Sequence, residues 1–388
     1  MRDIIEDLLD RWSTGRPSAL ASVVQTFRSA PRPPGTSLLV GPDDDVVGSV
    51  SGGCVEGAVY ELGTSVRDGA PPVLERYGVS DDDAFAVGLT CGGIIDIFVQ
   101  QVDPATWPDL DAIAADVAAG RPVVVAQVVE HPDAAMVGTR VVVRPGDTVP
   151  PSPGPVPAAQ RAAGEATALD RTRLLAHITA DAHGLLDGGT DQVLTYGPDG
   201  ERAEAGVRVF CWALTPPPRM FVFGAIDFAG SVAEMGKFLG YDVTVCDARR
   251  VFATPARFPA ADRVMVEWPH RYLAAEVEAG RTDARTVLVV LTHDPKFDVP
   301  VLDYALRRTD LAYVGAMGSR RTHADRCERL IEAGLGEAEL ARLASPIGLD
   351  IGASTPQEVA VSIAAEIIAT RHGKLGEPLT VTSGPIHA

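Results

Sequence analysis

Apolar residues at Ile4, Ile5, Leu8, Leu9 and Trp12 recur at helical spacing, and Gly15 ends the run. The pattern predicts an amphipathic helix at the start of the chain. Runs of β type follow at Ala19 to Thr26, Ser37 to Val40 and Val46 to Val50, separated by Pro- and Gly-rich turns. Gly48 to Gly53 then leads into a helix predicted to start near Cys54 and to fade by Gly69. A second glycine-rich stretch, Gly88 to Gly93, precedes a strand at Ile94 to Gln100. A helix at Asp109 to Ala119 and strands at Pro122 to Val129 and Thr139 to Arg144 complete this part. The acidic runs Asp43-Asp44-Asp45 and Asp81-Asp82-Asp83 read as solvated loop tips.

Between Pro145 and Arg171 the periodicity disappears into Pro, Ala and Gly, which reads as an excursion or linker. Strand patterns resume at Gln192 to Tyr196 and Val207 to Leu214, and Pro216-Pro217-Pro218 makes a stiff hinge. We therefore expect two domains, 1–215 and 219–388. In the second, strands at Met220 to Phe223, Asp242 to Cys246, Arg263 to Glu267, Thr286 to Leu291 and Leu311 to Val314 alternate with helical stretches, the first at Ile226 to Leu239. Such alternation predicts βαβ units and a parallel, Rossmann-like sheet. The first domain reads as mixed α/β. The last helix announces its start, with Thr355 as N-cap, Pro356 at the first position and Glu358 closing a capping box. Ile363, Ile367 and Ile368 are expected on its apolar side.

A formal charge of −18 over 388 residues argues against non-specific nucleic-acid binding, which needs clustered Lys and Arg. The longest apolar runs are too short to span a bilayer, and the acids of the first helix are foreign to a signal peptide. Five scattered cysteines make no disulfide framework. These features lead us to expect a cytoplasmic protein without membrane insertion.

Chemistry concentrates in a few places. Phe221-Val222-Phe223-Gly224 ends a strand where a dinucleotide fold places its glycine-rich turn, and Asp247 follows the second strand in the usual position of a ribose partner. The fingerprint is broken, however, because Ile226 stands where a glycine would admit a pyrophosphate, and Asp227 adds negative charge at a helix N-terminus. NAD(P) binding is therefore doubtful. Gly318-Ser319-Arg320-Arg321 joins a strand to a helix and reads either as an anion cradle or as a tight turn with solvated arginines. His293, at a neighbouring strand end, is a ligand contact or a polar strand terminus. In the first domain, Gly52-Gly53 precedes Cys54, and Cys91 precedes Gly92-Gly93. Paired glycines let backbone N–H groups converge and favour a thiolate, which suits sulfur transfer or soft-metal ligation; small-residue packing is the alternative. Glu56 is placed to assist or to serve as a first-turn acid. Cys246 and Cys327 lie in apolar patterns and are expected to be buried.

These segments resemble the XdhC/CoxI family of accessory proteins for xanthine dehydrogenase and related molybdenum hydroxylases. The resemblance rests on Gly48 to Glu61, Gly88 to Gly93, Val245 to Asp262, Leu291 to Asp298 and Tyr313 to Ile363, in the family's order. It implies binding of molybdenum cofactor of the molybdopterin type, its protection during sulfuration, and its delivery to a xanthine dehydrogenase-like apoenzyme. An accessory role is thus expected rather than that of a stand-alone enzyme, with a cysteine desulfurase among the partners and a homodimer as the default assembly. Cys54 and Cys91 would meet the molybdenum or its exchangeable sulfur, with Gly52, Gly53, Glu56, Gly92 and Gly93 around them. Gly318, Ser319, Arg320 and Arg321 would take the cofactor phosphate, with Asp247 and His293 in the same sheet. Joining both ends of one ligand would require the domains to face each other. The turn Gly224-Ala225-Ile226-Asp227 departs from the family's GAGH-like turn. Two other classes stay open: an NAD(P)-binding oxidoreductase, and a redox-sensitive interaction protein with no small-molecule ligand.

Overall fold

The structure is a computed structural model that describes residues 1–27, 32–78, 93–148, 166–198, 200–202 and 205–382, the side chains of 166–170 and 187 excepted. It divides into two compact units, Met1–Pro216 and Pro217–Thr382.

The first unit begins with α1 (Ile5–Ser13), followed by β1 (Ser18–Phe27), β2 (Ser37–Val40), β3 (Val46–Gly48), α2 (Glu56–Arg67), β4 (Val73–Tyr77) and β5 (Ile94–Val102). Next come α3 (Leu110–Ala118), β6 (Val123–Glu130), β7 (Arg140–Val143), α4 (Ala166–His183), the single turn α5 (Leu185–Gly188), β8 (Gln192–Tyr196) and β9 (Val207–Leu214). Two antiparallel sheets result, in the orders β3-β2-β1-β5-β4 and β7-β6-β9-β8. Strand residues alternate between faces, and both faces of β5 are used: Ile95, Ile97 and Val99 pack with α2, while Phe98 and Val102 meet Val123, Val125, Phe210 and Trp212 of the second sheet. The outer face of that sheet packs Val124, Ala126, Val209 and Cys211 against Leu174, Ile178 and Ala182 of α4. The layers are therefore helix, sheet, sheet, helix. Between the sheets, Gln100 and Gln127 exchange reciprocal amide hydrogen bonds of 2.9 and 2.6 Å, so these buried polar groups satisfy each other.

The second unit contains β10 (Arg219–Phe223), α6 (Asp227–Phe238), β11 (Asp242–Cys246), β12 (Arg263–Met265), α7 (Pro269–Glu278), β13 (Val287–Val290) and α8 (Pro295–Leu306). It continues through β14 (Tyr313–Ala316), α9 (Arg320–Glu332), the single turn α10 (Glu337–Leu340), β15 (Leu343–Ala344) and α11 (Pro356–Arg371). Its sheet is parallel throughout, in the order β12-β11-β10-β13-β14-β15. The order reverses between β10 and β13, as in doubly wound nucleotide folds. Met220 and Val222 face α6 and α11, whereas Phe221 and Phe223 face α7 and α8. A parallel sheet covered on both faces explains why its strands read as unbroken apolar runs.

Several expectations need correction. The second helix starts at Glu56 with Val55 as its N-cap, so Cys54 precedes it. Residues 166–171 are helical and not part of a linker. The strand Val73–Tyr77 and the helix α4 had no counterpart in the sequence pattern. Ile368 is 37% exposed; the buried stripe of α11 runs through Ala360, Ile363, Ala364 and Ile367 instead. The acidic tip at 43–45 is a loop as expected, exposed at Asp43 and Asp44, and its carboxylates also pair, Asp43 with Arg16, Asp44 with Arg67 and Asp45 with Arg11. The tip at 81–83 lies outside the described residues. Among the described residues no helix is long and apolar enough to cross a membrane.

Candidate functional site

In the first unit, β3 and β4 run in the direction of β1, and β5 runs against it. The loop leaving β3 and the residues entering β5 therefore lie at one end of the sheet. This places Ser49 to Cys54 and Gly93 at the same edge, with β2 and β1 between them, a separation on the order of 14 Å at the usual strand spacing. Gly93 is buried, while Cys91 and Gly92 lie outside the described residues.

The loop before α2 is organised around Glu56. Its carboxylate accepts from Val50 N (3.3 Å), Ser51 N (2.8 Å), Gly52 N (2.9 Å), Gly53 N (2.8 Å), Ser49 Oγ (2.7 Å) and Ser51 Oγ. Gly52 and Gly53 adopt φ of +77° and +117°, which turns successive N–H groups inward and suits glycine. Partial burial pushes the Glu56 carboxyl up, but the donors from Ser51, Ser49 and Gly53 outweigh it and hold the pKa down to about 2. The converging donors thus serve Glu56, not the Cys54 thiolate for which the sequence suggested them. Cys54 is half-buried against the α2 core cluster, and its N–H donates to Ser51 Oγ at 3.0 Å. The nest is already filled by a carboxylate, so it does not fit an anionic ligand.

In the second unit, the carboxyl ends of the parallel strands collect the remaining candidates. Gly224 follows β10 with φ +112°, and a Cβ there would lie 2.9 Å from Thr292 N. Glycine is therefore required by the close approach of the chain leaving β13. Asp247, after β11, is buried and accepts from Ala225 N (2.8 Å), Arg249 N (2.8 Å), Arg249 Nε (2.9 Å) and Arg249 Nη2 (2.8 Å). A carboxylate offers about four lone-pair positions. Those of Asp247 are spent on its own turn, which leaves none for a ribose hydroxyl. Arg249 in turn lies over the Phe252 ring, 4.7 Å from its centroid. Asp227 starts α6 with its side chain 90% exposed and a long contact of 3.4 Å to Arg257.

His293 is exposed one strand away from the turn after β14. In that turn Ser319 is the N-cap of α9, and its Oγ accepts from Thr322 N at 3.1 Å. The N–H groups of Gly318 to Arg321 meet no acceptor among the described residues, as expected of a helix start. Arg320 and Arg321 are exposed and make no ion pair among those residues. Free N–H donors, a helix N-terminus and two unpaired guanidinium groups fit a phosphate. The structure thus brings Gly318, Ser319, Arg320, Arg321, His293 and Asp247 to one edge of one sheet, whereas Cys54 and Glu56 belong to the other unit.

Sequence reasoning missed three features. One is a cleft of about 530 Å³ at the rim of the sandwich, lined by Gln25, Arg76, Asp96, Glu130, Thr195 and Arg208. There Asp96 is buried and receives Arg76 Nε (2.6 Å) and Arg208 Nη2 (2.7 Å). The second is a buried pair, Asp298 with Arg326, at 3.1 Å. The third is Cys327, which is half-buried, not buried, with its sulfur 3.6 Å from His323 Nε2. The first two carried no local signal, because their pairs form between distant segments; Cys327 and His323 are instead one turn apart on α9. No group of three or more His, Cys, Asp or Glu side chains among the described residues is arranged to hold a metal ion.

Comparison with known proteins follows the same division. The family described as the XdhC Rossmann domain matches residues 220–367, and the XdhC and CoxI family matches residues 11–78. A protein of Bacillus subtilis (strain 168) named as a probable xanthine dehydrogenase subunit is 27% identical over 356 residues, 91% of this chain and 93% of that protein. The molybdenum cofactor insertion chaperone PaoD of Escherichia coli (strain K12) is 23% identical over 371 residues, 95% of this chain and 88% of its own length. A crystal structure of a xanthine dehydrogenase from Bacillus halodurans covers 98% of this chain and 97% of its own at a TM-score of 0.64 and 21% identity, a likeness of fold. With its two matched regions in this order and relatives aligned over nearly the whole length, the chain belongs to the XdhC/CoxI family.

Proposed function

We propose that this protein carries molybdenum cofactor as cargo, supports its sulfuration, and delivers it to a xanthine dehydrogenase-like apoenzyme. The relatives named as a cofactor insertion chaperone and as part of a xanthine dehydrogenase support the role. Within the chain, the observation that carries it is the turn Gly318-Ser319-Arg320-Arg321, whose donors and guanidinium groups lack partners among the described residues. This turn holds the anionic end of the cargo. Asp247 contributes by fixing the Gly224-Ala225 turn beside it, and His293 lines the same edge. The sulfur chemistry is assigned to Cys54 and Cys91 of the first unit, where Glu56 with Gly52 and Gly53 shapes the Cys54 loop. What the cargo supplies is a phosphorylated pterin bearing molybdenum with an exchangeable sulfur; the protein's own share is to bind it and present a thiol.

Charge-assisted hydrogen bonds contribute about 1.5–3 kcal/mol each. Arg320→Ala or Arg321→Ala should therefore weaken molybdopterin binding by roughly one to two powers of ten, with folding and Cys54 reactivity unchanged. If neither substitution alters affinity while Cys54→Ala abolishes it, the turn has no part in binding and the assignment is wrong.

A further inference from the structure

Both backbone polar groups of Met317 are engaged. Met317 N donates to Val290 O of β13 at 2.8 Å, and Met317 O accepts from Arg326 Nη2 at 2.8 Å. In a trans peptide the N–H points opposite to the C=O. The bond that draws the Met317 carbonyl toward Arg326 therefore aims the Gly318 N–H away from it, on the side where that N–H finds no acceptor among the described residues. Arg326 is itself held by Asp298 Oδ2 through Nε (3.1 Å) and by Ser345 Oγ through Nη1 (3.1 Å). Both members of the ion pair are buried, with side-chain exposures of 1% and 4%. Packing at the turn is close as well, since a Cβ on Gly318 would lie 3.0 Å from Thr322 and 3.5 Å from Arg326 Nη2.

For stability alone this is a poor use of the core. Asp298 Oδ1 is buried without a hydrogen-bond partner, and apolar residues of similar volume commonly replace such pairs at no loss. What an apolar pair could not supply is the directed bond to Met317 O. We infer that Asp298 and Arg326 are positioning residues that set the peptide planes of the Met317-Gly318-Ser319 turn for an anion, without touching the anion themselves. This rests on the anion-binding reading of the turn.

The test uses the full chain, inorganic pyrophosphate as probe, calorimetry for affinity and thermal unfolding for the fold. The double variant Asp298→Leu/Arg326→Met should unfold cooperatively near the wild-type temperature yet bind pyrophosphate at least about tenfold more weakly, one missing charge-assisted contact at the turn. Asp298→Asn keeps an acceptor for Arg326 but removes the charge that anchors it, and should lose several-fold in affinity with the fold intact. Wild-type affinity in a folded double variant, or in Asp298→Asn if the double variant does not fold, overturns the inference. Failure of the anion reading looks different: wild-type protein would then not bind pyrophosphate, or Arg320→Ala and Arg321→Ala would leave its binding unchanged.

Discussion

Glu56 shows how one side chain can redirect the meaning of a motif. The sequence Ser51-Gly52-Gly53-Cys54 suggests donors gathered for a thiolate, but a carboxylate two residues further on gathers them first. An ionised carboxylate is the stronger acceptor, and at the first position of α2 it also faces the positive end of the helix. Cys54 is only half-buried, whereas Cys211 and Cys246 are buried. Burial pushes the Cys211 and Cys246 thiols up to about 12 and raises Cys327 as well, so at neutral pH these three are held in the unreactive thiol form. Residue-resolved alkylation near pH 7 should label Cys54 ahead of all three; faster labelling of Cys246 or Cys327 would show that access does not set the order.

At the scale of elements, the β10–α6 turn decides whether the second unit accepts a dinucleotide. Ile226 occupies the position where close backbone approach needs glycine, Asp227 places a carboxylate at the start of α6, and Asp247 is saturated by Ala225 and Arg249. NAD(P) should bind with a dissociation constant above about 10 μM, a free energy weaker than roughly −7 kcal/mol; calorimetry giving tighter binding would refute this. The regular elements were legible wherever one pattern dominated. The strands Gln192–Tyr196, Val207–Leu214 and Asp242–Cys246 fall where their apolar runs predict them, and the Thr355/Glu358 capping box forms as read. The strand Val73–Tyr77 escaped because it sits at the sheet edge with Glu75 and Arg76 exposed, so half the alternation is missing. The helix Ala166–His183 escaped although Leu174, Ile178 and Ala182 form its buried stripe, because alanine-rich sequence blurs the contrast between faces. Of the candidate site, the glycines and exposed arginines of the Gly318-Arg321 turn could be read from local sequence. The Asp298–Arg326 pair could not, since its members stand 28 positions apart on two different helices, α8 and α9.

In the molecule as a whole, a net charge of −18 coexists with arginines that are mostly paired to carboxylates. Arg320 and Arg321 are adjacent, exposed and without an ion pair among the described residues, so they place two positive charges side by side at one turn. The first unit illustrates a second consequence of paired charge. Its two sheets are joined in the interior by Gln100 and Gln127, and at the rim by Arg76, Asp96 and Arg208. Burial pushes the Asp96 carboxyl up, but Arg76 and Arg208 outweigh it and leave it below the ordinary range. A depressed carboxylate stabilises the fold above its unfolded pKa and loses that contribution as pH falls through the folded value. The amide pair carries no charge, so neither protons nor salt weaken it. Acid should therefore act on the sandwich as on a jaw with a fixed pivot and a proton-released latch. As pH falls below the ordinary carboxylate range, hydrogen exchange should open the amides of Gln25, Arg76 and Arg208 while those of Gln100 and Gln127 keep their protection; simultaneous loss at both places would mean that the sheets separate as one.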